Sequence, residues 1–448
     1  MSSDLQNMTH ALLEAARAAG ADAADALAVE DRSVAVDVRV GALEQAERSE
    51  ATDIGLRVFV GQRSAVVSGS DTRQETLSAM AERAVAMAHE APEDPYAGIA
   101  EPDQLASDTD AAALDLFDPS TAPDPATLQE AARQAEAAAA AVDGVSQVQS
   151  ASASHGTRRF HLATSAGFSA GYSRSGSSLS VVAIAGSGAE MERDYDGDSR
   201  IFAADLRDAA EIGATAGMRA VARSDPQRPK TGAYPVIFDE RVSGSLIGHL
   251  LAAINGAAVA RGGSWLRDGL GEQVLPKGMS LIEDPLRTRV AGSRPFDGEG
   301  LPVARREIVA DGILTGWTLD LQHARKLGMA PTGNASRGTG GGPSPSNWNI
   351  DLTQGVQSLS ELMAEMGTGL LVTSMIGATI NPNTGDYSRG AAGLWIEGGV
   401  PVYPVSGVTI AGNLRAMLGG MTASNDARSW LSRRIPSLRV EGLTLAGD

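Results

Sequence analysis

Apolar residues recur at helical spacing from Leu5 to Ala19, where Leu5, Met8, Leu12, Leu13 and Ala16 share a face and Gly20 ends the run. The pattern then changes to alternation. Ser33 to Val40 has period two, and Gly55–Val60 and Arg63–Val67 look similar, with Gly61 and Gln62 as the turn of a hairpin. Helical spacing returns from Thr72 to Glu90, with Leu77, Met80, Ala84, Met87 and Ala88 on one side, and Pro92 and Pro95 stop it. Residues 91–124, rich in Pro, Asp and Ala, read as a linker or surface excursion. A third helix is predicted from Pro125 to Val142, with Asp124 as its cap and Pro125 at its first position. Strands rich in Ser and Gly follow from Val145 to about Ala189, and a helix from Ala203 to Arg223. The order helix, strands, helix thus occurs twice, which hints at a duplicated unit.

Asp225 to Gly232 crowds proline, charge and glycine between a helix and the strand Tyr234–Phe238, and marks a boundary. A helix is predicted from Ser243 to about Val259. Beyond Gly262 short apolar runs recur among Gly and Pro, and only Ser358 to Met366 reads as helical. The expectation is an α+β protein of two domains. Residues 1–224 would form a mixed helix and antiparallel-sheet domain, 225–232 a linker, and 233–448 a mostly-β domain.

Composition narrows the partners. Lys and Arg number 37 against 55 Asp and Glu, a net charge of −18, and such a surface repels phosphate, so nucleic acid and anionic membrane are not expected partners. There is no cysteine, so disulfides, thiol nucleophiles and Cys-ligated metals are excluded for this chain. No apolar run reaches the length of a membrane span, and the first residues have neither the basic nor the apolar segment of a secretory signal. The expected location is the cytoplasm.

Candidate chemistry is sparse. Of the six histidines, His10 and His89 fall on predicted helices and read as solvated or packing residues. His155 and His161 lie about 20 Å apart on a straight strand, too far for one metal. His249 sits on the first helix of the second domain with no second His or Glu within a turn or two, so it cannot hold zinc alone. Asp194, Asp196 and Asp198 mimic the start of a calcium loop, but Ser199 and Asp205 stand where Gly and Glu are needed, so a solvated turn is expected. The run Gly338–Pro343 has no Lys-Ser/Thr after it and is no Walker loop. It reads either as a structural loop or as backbone that closely approaches an extended ligand. No nucleophile elbow flanked by strand and helix appears.

Several segments together resemble the TldD/PmbA family. They are Gly55–Gly61 with Ser64–Asp71, Glu192–Tyr195, Gly248–Gly256, Asn381–Gly390, Gly393–Glu397 and Pro404–Asn413. The family's TldD-like branch carries His-Glu-x-x-x-His on a helix and a distant Cys as zinc ligands; its TldE-like branch lacks them. Here Gly244 and Ser245 stand at the first His and the Glu, His249 alone remains, and no Cys lies near Ser424–Asp426. The resemblance therefore implies a TldE (PmbA)-like chain without its own catalytic or metal residues. It would pair with a TldD-like catalytic subunit that carries the zinc, and help form a cavity for unfolded peptides. Asn334, Gly338, Gly340, Gly341, Gly342, Thr384, Gly385 and Asp386 are the expected peptide-lining residues. Two rival readings stay open: a stand-alone homodimeric peptide-binding scaffold, and a self-sufficient hydrolase with an unrecognised Ser or Asp site.

Overall fold

The structure, a computed structural model, describes residues 3–447. Its first half runs α1 (Ser3–Ala18), β1 (Ala23–Arg39), β2 (Ala42–Val60), β3 (Arg63–Gly69), α2 (Gln74–Glu90), α3 (Pro125–Ala140), β4 (Val145–Thr164), β5 (Ser169–Ala185), β6 (Glu192–Arg200) and α4 (Ala209–Val221). All six strands form one antiparallel sheet in the order β3-β2-β1-β4-β5-β6. The helix–three strands–helix unit is therefore repeated. The two copies meet at the central β1–β4 pair, which places equivalent strands symmetrically outward.

Strand alternation divides the sheet's duties. Ala24, Ala26, Ala28, Val36 and Val38 of β1 share one face and are buried under the helices, the first three with α1 and α2 and the last two with α3 and α4. The opposite parity, Asp25, Leu27 and Val29, faces the second half of the chain, where Leu27 packs with Phe296. Two hydrogen-bonded caps fix helix starts: Asp124 accepts from Thr127 N at 2.7 Å, and Asp208 from Ala210 N at 2.9 Å. The second cap starts α4 at Ala209, because the predicted first turn is only a short 3₁₀ segment, Ala203–Asp205.

The second half contains β7 (Gly232–Phe238), α5 (Glu240–Ala253), α6 (Gly256–Ala260), β8 (Leu281–Glu283), β9 (Arg306–Ala310), β10 (Ile313–Leu314), α7 (Leu321–Leu327), β11 (Ala335–Ser336), β12 (Ser344–Pro345) and β13 (Ile350–Leu352). It continues with α8 (Leu359–Met366), β14 (Gly369–Ile380), β15 (Asp386–Glu397), β16 (Val400–Asn413), α9 (Leu414–Gly419), β17 (Thr422–Ala423), β18 (Arg433–Arg434) and β19 (Leu438–Ala446). The order β16-β15-β14-β7-β19 closes on itself, because β16 also pairs with β19. A second sheet runs β10-β9-β8-β13-β18, and one large core joins α5 to both. The chain is an α+β protein with an N-terminal sheet region and a mostly-β C-terminal region.

Two local expectations change. Residues 91–124 are no free excursion: the Arg325 guanidinium donates to the carbonyls of Tyr96, Gly98 and Ile99, and Ala106 N to Gly300 O, strapping the segment onto the second half. The carboxylates of residues 194–198 form no solvated turn. They lie on β6 with their side chains buried, because arginines neutralise them: Arg241 meets Asp194 at 3.0 Å, Arg207 meets Asp196 at 2.7 Å, and Arg200 meets Asp198 at 2.9 Å. No helix among the described residues is long and apolar enough to cross a membrane.

Candidate functional site

Asp239 caps α5 by accepting from Arg241 N at 3.1 Å, and the helix carries Gly244, Ser245 and His249. Ser245 turns its hydroxyl back to Val242 O at 2.7 Å, and a side chain at Gly244 would meet open space. The His249 ring stands edge-on to Tyr387, with centroids 5.7 Å apart, and its buried Nε2 has no hydrogen-bond partner. Burial, reinforced by the positive charge of Arg389, lowers its pKa below the ordinary histidine value. A cleft of about 400 Å³ lies over this helix, and Arg241, Arg389, Arg428 and Arg433 line it beside Glu240. Arg428 binds Glu240 at 2.9 Å, and Arg389 donates to Gly377 O at 2.7 Å.

Zinc sites need three or four N, S or O donors that converge on one point. The cleft's lining offers four guanidiniums and Glu240, which Arg428 already binds, and His249 on the same helix is not part of it. Asp426, near the expected cysteine position, is occupied by the Ser424 hydroxyl and by Ser437 N and Oγ. Among the described residues no group of three His, Cys, Asp or Glu side chains converges. This donor set does not fit a zinc ion.

The glycine-rich run has a definite place. Strands β11 and β12 pair as a narrow ribbon, and residues 337–343 form its tip. That tip crosses the N-terminal sheet at Gly55, where an added Cβ would sit 2.7 Å from Thr339 Cα and closer still to Thr339 O. Only glycine permits this approach. Gly340 reaches the neighbourhood of Ser68, while Gly338, Gly341 and Gly342 have open space where a side chain would stand. Asn334 lies at the ribbon's base and is 1% exposed. Its amide donates to Glu283 Oε1 at 2.9 Å and Ser346 O at 2.8 Å, and its carbonyl oxygen accepts from Thr332 at 2.7 Å. Thr384, Gly385 and Asp386 form a separate turn: Thr384 bonds Asp386 at 2.6 Å, Asn413 bonds both, and Gly385 adopts a φ of +79° against Trp265. Among the described residues, none of that turn's hydrogen bonds reaches the ribbon.

Beneath the ribbon, the two halves are joined by buried charge. Asp25 of β1 accepts from Arg57 at 2.5 and 2.8 Å and from Arg337 of the ribbon. Burial alone would raise the Asp25 carboxyl, but Arg337 and Arg57 outweigh it and hold the pKa below the usual carboxylate range. Glu299 lies 3.7 Å from Arg57 and next to Asp297. Burial, helped by their mutual repulsion, raises the affinity of this acidic pair for a proton. Beside the cluster opens a cavity of about 380 Å³ between β1, β4 and β5 on one side and residues 294–298 and 335–339 on the other. Gly338 lines it, as do Arg174 and Arg294, which the sequence does not flag because they are brought together from distant segments.

Family profiles match nearly the whole chain: PmbA/TldA metallopeptidase domain 1 at residues 24–88, its central domain at 118–224, and its C-terminal domain at 231–447. The chain is 36% identical over 430 residues to the metalloprotease PmbA of Escherichia coli O157:H7, covering 95% of this chain and 93% of that protein. It is 36% identical to the PmbA homolog of Haemophilus influenzae, covering 99% and 96%. Among solved structures, a Bacteroides thetaiotaomicron protein described as a candidate modulator of DNA gyrase superposes with a TM-score of 0.92 at 25% identity over 100% of both chains. TldE from Thermococcus kodakarensis superposes at 0.85 and 20% identity over 98% and 99%, and shares the fold. The chain belongs to the PmbA/TldD metallopeptidase family.

Proposed function

We propose that this chain is the TldE-like, non-catalytic subunit of a zinc metallopeptidase that hydrolyses unfolded peptides. The observation that carries the reading is the donor set on and over α5: His249 is the one histidine of that helix, four arginines and an arginine-paired Glu240 line the cleft over it, and the sequence has no cysteine. A TldD-like partner would supply the zinc, the general base and the attacking water. This chain would supply walls of the substrate cavity. The exposed glycines Gly338 and Gly342 offer a peptide unobstructed backbone, and Asn334 holds the ribbon that carries them. The test is assembly with function. The chain and a TldD-like protein, mixed and run by analytical ultracentrifugation, are expected to sediment as a hetero-oligomer that cleaves an unfolded peptide. Two species that sediment independently, with peptide cleavage unaffected by this chain, would refute the reading.

A further inference from the structure

The cavity beside the ribbon holds two arginines without a counter-ion. Arg294 lies face-on to the Trp348 ring, 3.3 Å from its centroid, and among the described residues its one side-chain hydrogen bond, to Gly292 O, is 3.4 Å long. Arg174 donates to Ser293 O at 2.7 Å, and its Nε is buried with no partner. Among the described residues neither guanidinium has a carboxylate within ion-pair distance. Of the other lining charges, Arg158 binds Asp31 at 2.5 Å, Arg337 binds Asp25, the Asp297 carboxylate accepts from Glu299 N, Leu301 N and Ala335 N, and Asp53 of β2 forms no ion pair with Arg174 or Arg294 among the described residues.

Burial pulls the Arg294 pKa down to about 10, and the neighbouring Arg174 charge adds to the fall, yet both remain charged at neutral pH. Two half-buried cations that repel each other across an accessible cavity are a standing demand for an anion. The rest of the wall is aromatic. Phe160 and Tyr172 meet at 4.1 Å between ring centroids, and Tyr172 and Phe296 at 5.6 Å. A ligand here needs one anionic end and an apolar body.

We propose that this cavity binds the C-terminal carboxylate of a peptide, with Arg174 and Arg294 holding the carboxylate and the Phe160–Tyr172–Phe296 cluster holding an apolar last side chain. The lining carries four arginines against three aspartates, which suits a monoanion better than a dianion. The volume lies at the lower end of the roughly 300–1,000 Å³ of small-ligand sites, enough for a terminal residue or two. The assignment rests on the peptide-processing reading. Its test uses the full chain alone, without partner or metal, so it can fail independently of that reading.

The experiment is calorimetric titration of the full chain with the tripeptide Ala-Leu-Phe as free acid, as C-terminal amide, and with inorganic phosphate. The free acid is expected to bind at least about tenfold more tightly than the amide, as charge-assisted bonds to a carboxylate imply. Arg294→Gln should abolish that preference and Arg294→Lys keep part of it. Equal binding of acid and amide would overturn the proposal in the native chain, whatever the variants do. So would a preference that survives Arg294→Gln, or binding of phosphate with neither peptide bound.

Discussion

Removing Asp25 is the sharpest perturbation of the junction between the two halves. In Asp25→Ala, Arg57 keeps Glu299 at 3.7 Å, but Arg337 keeps nothing: its side chain is 2% exposed, and its Nε and Nη2 already lack acceptors. The substitution therefore strands one fully buried guanidinium rather than two. Breaking a buried pair by removing one partner costs about 3–5 kcal/mol, mostly the desolvation of the charge left behind. With a denaturant slope of about 3 kcal/mol/M, the urea midpoint should fall by roughly 1–1.7 M. The assay is urea unfolding followed by tryptophan fluorescence at constant ionic strength. Adding Arg337→Met removes the stranded charge, so the double variant should recover at least half of the lost midpoint. If Asp25→Ala shifts the midpoint by less than about 0.3 M, or if the two substitutions simply add, the buried triad is not what ties the ribbon to β1.

Three further perturbations probe other parts of the structure. Gly55→Ala drives a methyl into the Thr339 backbone and should cost about 1–3 kcal/mol, with faster proteolysis within residues 338–342; unchanged cleavage would show that the ribbon does not rest on β2. His161 is buried against Thr9, with Thr9 Oγ1 2.9 Å from Nδ1, and burial followed by the His10 charge depresses its pKa to about 4. The unfolded chain takes up that proton first. Stability should therefore fall as pH drops from about 6.5 toward about 4, and His161→Gln should flatten that slope in urea midpoints measured across the range. The Asp297–Glu299 pair has the opposite sign: its raised proton affinity stabilises the fold at low pH and is lost as pH rises. Glu299→Gln should therefore remove a decline in stability through neutral pH, and an identical decline in the variant would contradict the assignment.

The legible parts of the sequence were those with a regular apolar period or a hydrogen-bonding cap. Helices α2, α3 and α8 and the Gly61–Gln62 turn follow directly from such signals. So does the repeated helix–strands–helix order, which the symmetric sheet displays. Strand β2 was only half legible. Residues 42–51 are mostly polar and exposed on both faces, so no alternation marks them, and pairing with β1 sets their register. The Asp194–Asp198 ladder reads as a solvated turn in sequence because nothing there shows that Arg200 of β6, Arg207 before α4, Arg219 of α4 and Arg241 of α5 converge on its buried face. The glycine run lies across the protein's own sheet, where Gly55 admits the Thr339 backbone, while Gly338, Gly341 and Gly342 meet open space. Arg174 and Arg294 could not be found in advance, since an arginine without a counter-ion looks the same in sequence as a paired one.

We propose that this chain serves a metallopeptidase without carrying its metal. Zinc content and hydrolysis of an unfolded peptide, measured on the purified chain alone and on the chain mixed with a TldD-like protein, test it most directly. The account predicts zinc and activity in the mixture and neither in the chain alone. Stoichiometric zinc with chelator-sensitive hydrolysis in the chain alone would contradict it, and would mean that His249 acquires ligands the folded cleft does not present.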